Sequence, residues 1–172
     1  KYAYKNAENS VKLIFDNLLT SYKNGDNIYA REKMLEASFF AGVAFTRNCV
    51  GYVHALGHAL GGMYGIPHGQ AMAVILPKVM RKFDKAAYKR LAKLANFVGV
   101  PGDSEKEKAL NFIKKIEEMN QEMGIPKGFE CIKDEDIDKM TGFAVIEAIP
   151  LYPTPAIWNK KDFEEVYRSL KI

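Results

Sequence analysis

Apolar positions along the chain recur mostly at intervals of three and four, the period of helices with one buried face. Val11, Ile14, Phe15, Leu18 and Leu19 follow this spacing, and Gly25 is the stop signal after them. A second helix is predicted from Ala30 to Arg47. Its Met34, Leu35, Ala37, Ser38, Ala41 and Phe45 form a small-residue face, and Ala37, Gly42 and Ala44 suggest burial on several sides. Val50 to Gly61 is apolar almost all round and is expected to be central. The run Gly61-Gly62-Met63-Tyr64-Gly65-Ile66-Pro67 is expected to end that helix, because three glycines loosen the backbone and a proline follows. A fourth helix is predicted from His68 to about Phe83, kinked at Pro77, and a fifth from Lys85 to Phe97, stopped by Gly99 and Pro101.

Ser104 and Glu107 have the spacing of a capping box and open a long sixth helix to Met123, which Gly124-Ile125-Pro126 ends. Asp134 to Glu147 is predicted as a helix headed by acids, which suit the positive end of its dipole. Three prolines make Pro150 to Pro155 an extended crossing, and Asp162 to Leu170 is predicted as a closing helix. No stretch alternates cleanly enough to require a strand. The expected fold is all-α, with eight or so helices. Gly61, Gly62 and Gly65 make no dinucleotide-binding fingerprint, which needs a preceding strand.

Composition narrows the class. The 172 residues are 48% apolar and 27% charged, as in an ordinary globular protein with one real core. The formal charge of +4 is spread among acids, so the basic stripe of a nucleic-acid binder is missing. No apolar run approaches the ~18 residues that span a bilayer. Cys49 and Cys131 are too few and too separated for a disulfide framework, which points to a cytoplasmic protein with reduced thiols. The opening Lys1-Tyr2-Ala3-Tyr4 resembles no signal peptide and has no initiator Met, so a fragment of a longer chain is expected.

The chemistry is concentrated in one place. All three histidines, His54, His58 and His68, fall in a short stretch around the glycine-rich bend. A single histidine on a buried helix is more often a hydrogen-bonded core residue than a ligand. Three together with none elsewhere favour a metal site, although imidazole suits Zn, Fe, Cu and Ni alike. By spacing alone the i, i+4 pair His54 and His58 would be the ligands. Ala55-Leu56-Gly57 between them lacks the glutamate of a zinc protease, which removes that reading. Aspartate and glutamate are absent from Asn48 to Phe83, so any further ligands must come from elsewhere.

Gly51-Tyr52-Val53-His54-Ala55-Leu56-Gly57-His58-Ala59-Leu60-Gly61-Gly62, with Gly65-Ile66-Pro67-His68-Gly69-Gln70 and the continuation Ala71 to Pro77, resembles the signature of iron-containing (group III) alcohol dehydrogenases. The segment from Asn24 to Phe40 is similar to the helix before that signature. The resemblance implies that residues 1–172 are the helical, metal-binding C-terminal half of a dehydroquinate synthase-like fold. An N-terminal domain, absent from this chain, would bind NAD or NADP and choose between them. The implied metal is Fe²⁺ or Zn²⁺ held by one Asp and three His, with His54 and His68 as two of the ligands. His58 would then be no ligand but a proton-transfer residue beside substrate and nicotinamide, which replaces the pairing suggested by spacing.

The implied activity interconverts a primary alcohol or diol with its aldehyde by metal-assisted hydride transfer, in a protein expected to be a homodimer at full length. No nicotinamide-contacting residue of this chain is identified. Two departures accompany the resemblance. The family's Asp-x-x-x-His helix has no counterpart between Lys1 and Lys23, where Thr20 stands four after Asp16, so the fragment is expected to be inactive alone. Glu147-Ala148-Ile149-Pro150-Leu151-Tyr152-Pro153-Thr154-Pro155 replaces the family's Asp-x-Cys-Thr…Asn-Pro stretch, so a different cleft lining is expected.

Cys49 is expected to be a buried thiol, and Phe45, Tyr52, Tyr64, Tyr152 and Trp158 to be packing residues. Two other readings of the motif are a zinc-dependent polyol dehydrogenase of the glycerol dehydrogenase type, or a related metal-dependent lyase, and a free-standing helical module that binds metal without catalysis. The Pro67-His68-Gly69 context and the 14-residue gap from His54 to His68 favour the iron type.

Overall fold

A computed structural model describes residues 2–46, 48–149 and 151–172. The predicted helix end at Arg47 and the start of the crossing at Pro150 lie outside the described residues. Eight α-helices are described: α1 (Tyr2–Lys23), α2 (Ile28–Phe45), α3 (Tyr52–Tyr64), α4 (His68–Phe83), α5 (Lys85–Val98), α6 (Glu105–Glu122), α7 (Asp134–Ala148) and α8 (Lys160–Leu170). The fold is all-α; the extended pairing among described residues is a single parallel bridge between Phe129 and Lys171. No described helix is long and apolar enough to cross a membrane.

The chain divides into two compact units, Lys1–Cys49 with Tyr88–Met123, and Val50–Ala87 with Gly124–Ile172. In the first, α1 and α2 are joined by the buried Ser10 hydroxyl, which donates to the Ala37 carbonyl at 2.9 Å. Phe15 stacks on Phe112 with ring centroids 5.1 Å apart. Ser104 caps α6 by accepting from the Glu107 N–H at 3.1 Å. The reciprocal contact differs from a full capping box, because the Glu107 carboxylate accepts from Asp103 N–H rather than from Ser104.

Burial of α2 on several sides is not what the structure shows. Ala30 and Ala37 are its buried residues, whereas Leu35 and Phe39 are about three-quarters and two-thirds exposed (74% and 68%) and Phe45 half exposed (50%). Small and apolar side chains follow the helical period on more than one face, but only the Ala30 and Ala37 face is covered by this chain. Cys49 is also not a buried thiol. It lies past the end of α2, exposed, with a left-handed φ of 56°.

The second unit holds the site. Its core is built from Tyr52, Leu56 and Leu60 of α3, Val74, Ile75 and Val79 of α4, Ile137, Met140 and Ala144 of α7, and Phe163, Tyr167 and Leu170 of α8. As expected of its nearly uniform apolar character, α3 is central here. It does not stop at Gly61, however. It runs on through Gly61 and Gly62 to Tyr64 and ends at Gly65, which takes the left-handed conformation (φ 67°) and donates its N–H to the Gly61 carbonyl at 3.0 Å. Each glycine weakens a helix by about 1 kcal/mol, but Met63 and Tyr64 pack on the core, and that burial holds the extra turn. The helix ends where a residue can adopt positive φ without a Cβ clash. α4 likewise continues through Pro77.

α8 begins two residues before its predicted start. Asn159 and Asp162 form a reciprocal capping box, each side chain accepting from the other's backbone N–H. Tyr52, Phe83, Trp158 and Phe163 form an aromatic cluster with centroid separations of 4.8–5.7 Å. The Tyr167 hydroxyl donates to the Leu56 carbonyl at 3.0 Å, which ties α8 to the middle of α3.

Candidate metal centre

The three histidines come together. His54 lies in the first turn of α3, His58 one turn later on the same face, and His68 opens α4. Their ring centroids are 5.7 Å apart for His54–His58, 5.4 Å for His54–His68 and 5.4 Å for His58–His68. The reversal at Gly65 produces this grouping. α3 and α4 lie close enough that a Cβ on Gly57 would fall 1.9 Å from the Met72 methyl. Spacing finds His54 and His58 on one face, but it cannot find His68, which needs the turn.

Two imidazoles each about 2.0–2.1 Å from one tetrahedral cation have centroids roughly 5 Å apart. The observed separations therefore fit nitrogen donors to a shared ion. The electrostatics agree with that role. Burial, then the neighbouring His68 and His58 rings, hold His54 below the usual histidine value, although Glu147 opposes the shift. A neutral ring keeps the lone pair that a metal requires. His54 is half-buried, whereas His58 and His68 are exposed. Among the described residues no group of three or more His, Cys, Asp or Glu side chains is arranged to hold an ion by itself.

The ring separations do not divide the three histidines into two ligands and one bystander. A carboxylate distinguishes them. His58 Nδ1 lies 2.8 Å from Oε1 of Glu147, near the C-terminus of α7. The Tyr152 hydroxyl donates to the same oxygen at 2.7 Å. Tyr152 is therefore more than a packing residue, and Glu147 is a site residue that the pattern of apolar positions did not single out. Two signals pointed to it: it heads the Glu147 to Pro155 stretch that departs from the family pattern, and an acid at the negative end of a helix dipole is unfavourable without a partner. Tyr64 also carries a polar contact, donating to Asp136 at 2.7 Å. Tyr52 and Trp158 are core residues as expected.

Residues 2–171 match the family described as "Fe-containing alcohol dehydrogenase family, C-terminal". The chain is 36% identical over 164 residues to a 1,3-propanediol dehydrogenase of Citrobacter freundii, covering 93% of this chain and 42% of that protein. It is 36% identical over 145 residues to alcohol dehydrogenase 4 of Saccharomyces cerevisiae, covering 82% of this chain and 37% of that one. A crystal structure of 1,3-propanediol oxidoreductase superposes with a TM-score of 0.91 at 32% identity, covering 98% of this chain and 45% of that one. An alcohol dehydrogenase from Oenococcus oeni gives 0.89 at 33% identity, covering 96% and 44%. The chain thus spans less than half the length of each of these relatives.

Proposed function

Because the chain belongs to the Fe-containing alcohol dehydrogenase family, whose C-terminal region it matches over residues 2–171, we propose that it is the helical metal-binding domain of an NAD(P)-dependent alcohol dehydrogenase. The substrates are a primary alcohol or diol, the classes named in its relatives, and the aldehyde formed from it. One observation supports this most directly: His54 and His68, on separate helices, have ring centroids 5.4 Å apart.

In this reading His54 and His68 hold Fe²⁺ or Zn²⁺ through neutral imidazoles, and the other protein ligands lie outside this chain. A bound metal would supply Lewis-acid polarisation of the alcohol oxygen, and a bound nicotinamide would accept hydride. His58 accepts the hydroxyl proton and passes it toward solvent, to which its ring is open. The core of α3, α4, α7 and α8 fixes the helices that carry the three rings, which limits the reorganisation needed when substrate binds. NAD or NADP is bound mainly by residues beyond this chain. The exposed Cys49 and Cys131 thiols suit a reducing, cytoplasmic setting.

The chain alone should bind divalent metal weakly and lack dehydrogenase activity. Calorimetric titration with Zn²⁺, and anaerobically with Fe²⁺, tests the first point; sub-micromolar affinity would overturn it. Assay of the chain alone with NAD or NADP and a panel of primary alcohols and diols tests the second, and measurable turnover would refute it; metal-independent turnover by the full-length enzyme would refute the metal-centre reading itself.

A further inference from the structure

We propose that Glu147 is a positioning residue for His58, holding its imidazole in the Nδ1–H tautomer so that Nε2 is left as the ring's proton acceptor. The inference rests on the proton-transfer reading of His58, but the tautomer can be read without metal or substrate.

The argument starts at Glu147 Oε1, which faces two donors. An ionised carboxylate has no proton to give, so both neighbours must donate to it. Tyr152 does so through its hydroxyl at 2.7 Å. His58 can do so only through Nδ1–H, across 2.8 Å. A neutral imidazole carries one N–H, and with that hydrogen on Nδ1 the Nε2 lone pair is bare. Neutral imidazole side chains in water prefer the opposite form, with the hydrogen on Nε2. The contact therefore reverses the intrinsic preference and turns the basic nitrogen away from the carboxylate.

The placement of Glu147 carries the same message. It is the penultimate residue of α7, at the end where helix carbonyls repel an anion. A residue that breaks the local rule and gains two donors by doing so marks a site rather than a surface accident. Tyr152 holds the carboxylate in turn. It is anchored just beyond α7 by its own N–H, which donates to the Ala148 carbonyl at 2.9 Å. The result is a chain of three side chains, Tyr152 to Glu147 to His58, aimed at one nitrogen.

Long-range ¹H–¹⁵N correlation spectra of the metal-free protein, labelled at histidine, read which ring nitrogen of a neutral imidazole carries the hydrogen. Three histidines give three ring systems, and His58→Gln identifies its own by loss. The wild-type ring should be Nδ1–H, and Glu147→Ala should return it to Nε2–H. Glu147→Gln, whose amide oxygen still accepts, should keep it Nδ1–H. A wild-type ring in the Nε2–H form overturns the proposal without any variant, so misfolding of Glu147→Ala cannot shelter it. Retention of Nδ1–H in a folded Glu147→Ala protein also overturns it.

In the full-length enzyme Glu147→Ala should lower kcat, by less than the about 10²-fold scale of a lost general acid or base, with metal content and KM retained and with partial recovery in Glu147→Gln. Unchanged kcat would remove the functional half of the proposal. Zn²⁺ that leaves the His54 and His68 resonances unmoved would instead overturn the metal-site reading, while the metal-free tautomer result decides the positioning of His58 separately.

Discussion

His54 and His68 face each other with ring centroids 5.4 Å apart, although one lies in the first turn of α3 and the other opens α4. The left-handed Gly65 and the close approach of α4 to Gly57 make this possible. The roles proposed for the three histidines predict different losses. In the full-length enzyme His68→Ala should abolish metal content. His58→Ala should retain metal and lower kcat by about 10²-fold or more, the scale of a lost general acid or base. Metal analysis beside steady-state kinetics separates the two, and equal loss of metal in both variants would show that the roles are wrongly assigned.

Thr141 presents a different test. It is fully buried on α7, and its hydroxyl has no hydrogen-bond partner among the described residues. A buried hydroxyl without a partner costs about 1–3 kcal/mol. Thr141→Val keeps the shape and removes that cost, so it should stabilise the protein by about 1 kcal/mol in urea unfolding. A loss of stability would mean that the hydroxyl has a partner.

Gly128 lies against the end of α8. A Cβ there would fall 2.3 Å from the Leu170 carbonyl oxygen, which already accepts from Phe129 N–H at 2.7 Å. Backbone cannot yield as a flexible side chain can. Gly128→Ala should therefore destabilise the protein by about 1–3 kcal/mol, whereas Gly57→Ala, opposed only by the mobile Met72 methyl, should cost less. Paired denaturation curves decide, and the reverse order would refute the packing argument.

The pH dependence of stability can be assigned at Asp162. Burial is the largest single influence on its carboxyl and pushes the pKa up, but the Asn159 N–H and the Lys82 ammonium, 3.0 Å away, together hold it below the ordinary 3.8. The folded state thus binds the proton more weakly than the unfolded one. The stabilisation is complete above the unfolded value and is lost as pH falls through the lower folded one. Wild-type stability should drop more than that of Asp162→Asn between about pH 6 and about pH 3. Parallel drops would show that the cap and ion pair contribute nothing.

Helices were the most legible part of the chain, since each buries a face whose period is written in its own residues. The His68 to Phe83 helix and the acidic start of α7 at Asp134 appear where the pattern puts them. Helix ends were less legible. α3 outruns Gly61 because the burial of Met63 and Tyr64, a tertiary quantity, outweighs the cost of two glycines. Phe45 and Cys49 failed for a related reason: apolar character says that a side chain can be buried, not that a neighbour is present to cover it.

The site divides the same way. Sequence alone determined an all-α chain, the chemistry of a three-imidazole cluster and, through the motif around it, the family. The third ring reaches the first two only through the reversal at Gly65. Glu147, far along the chain, meets His58 only because α7 packs on α3. Periodicity is a property of neighbours in sequence, whereas a hydrogen bond between helices depends on how their faces dock. Which nitrogen of His58 carries the proton is therefore a question that only the folded protein answers.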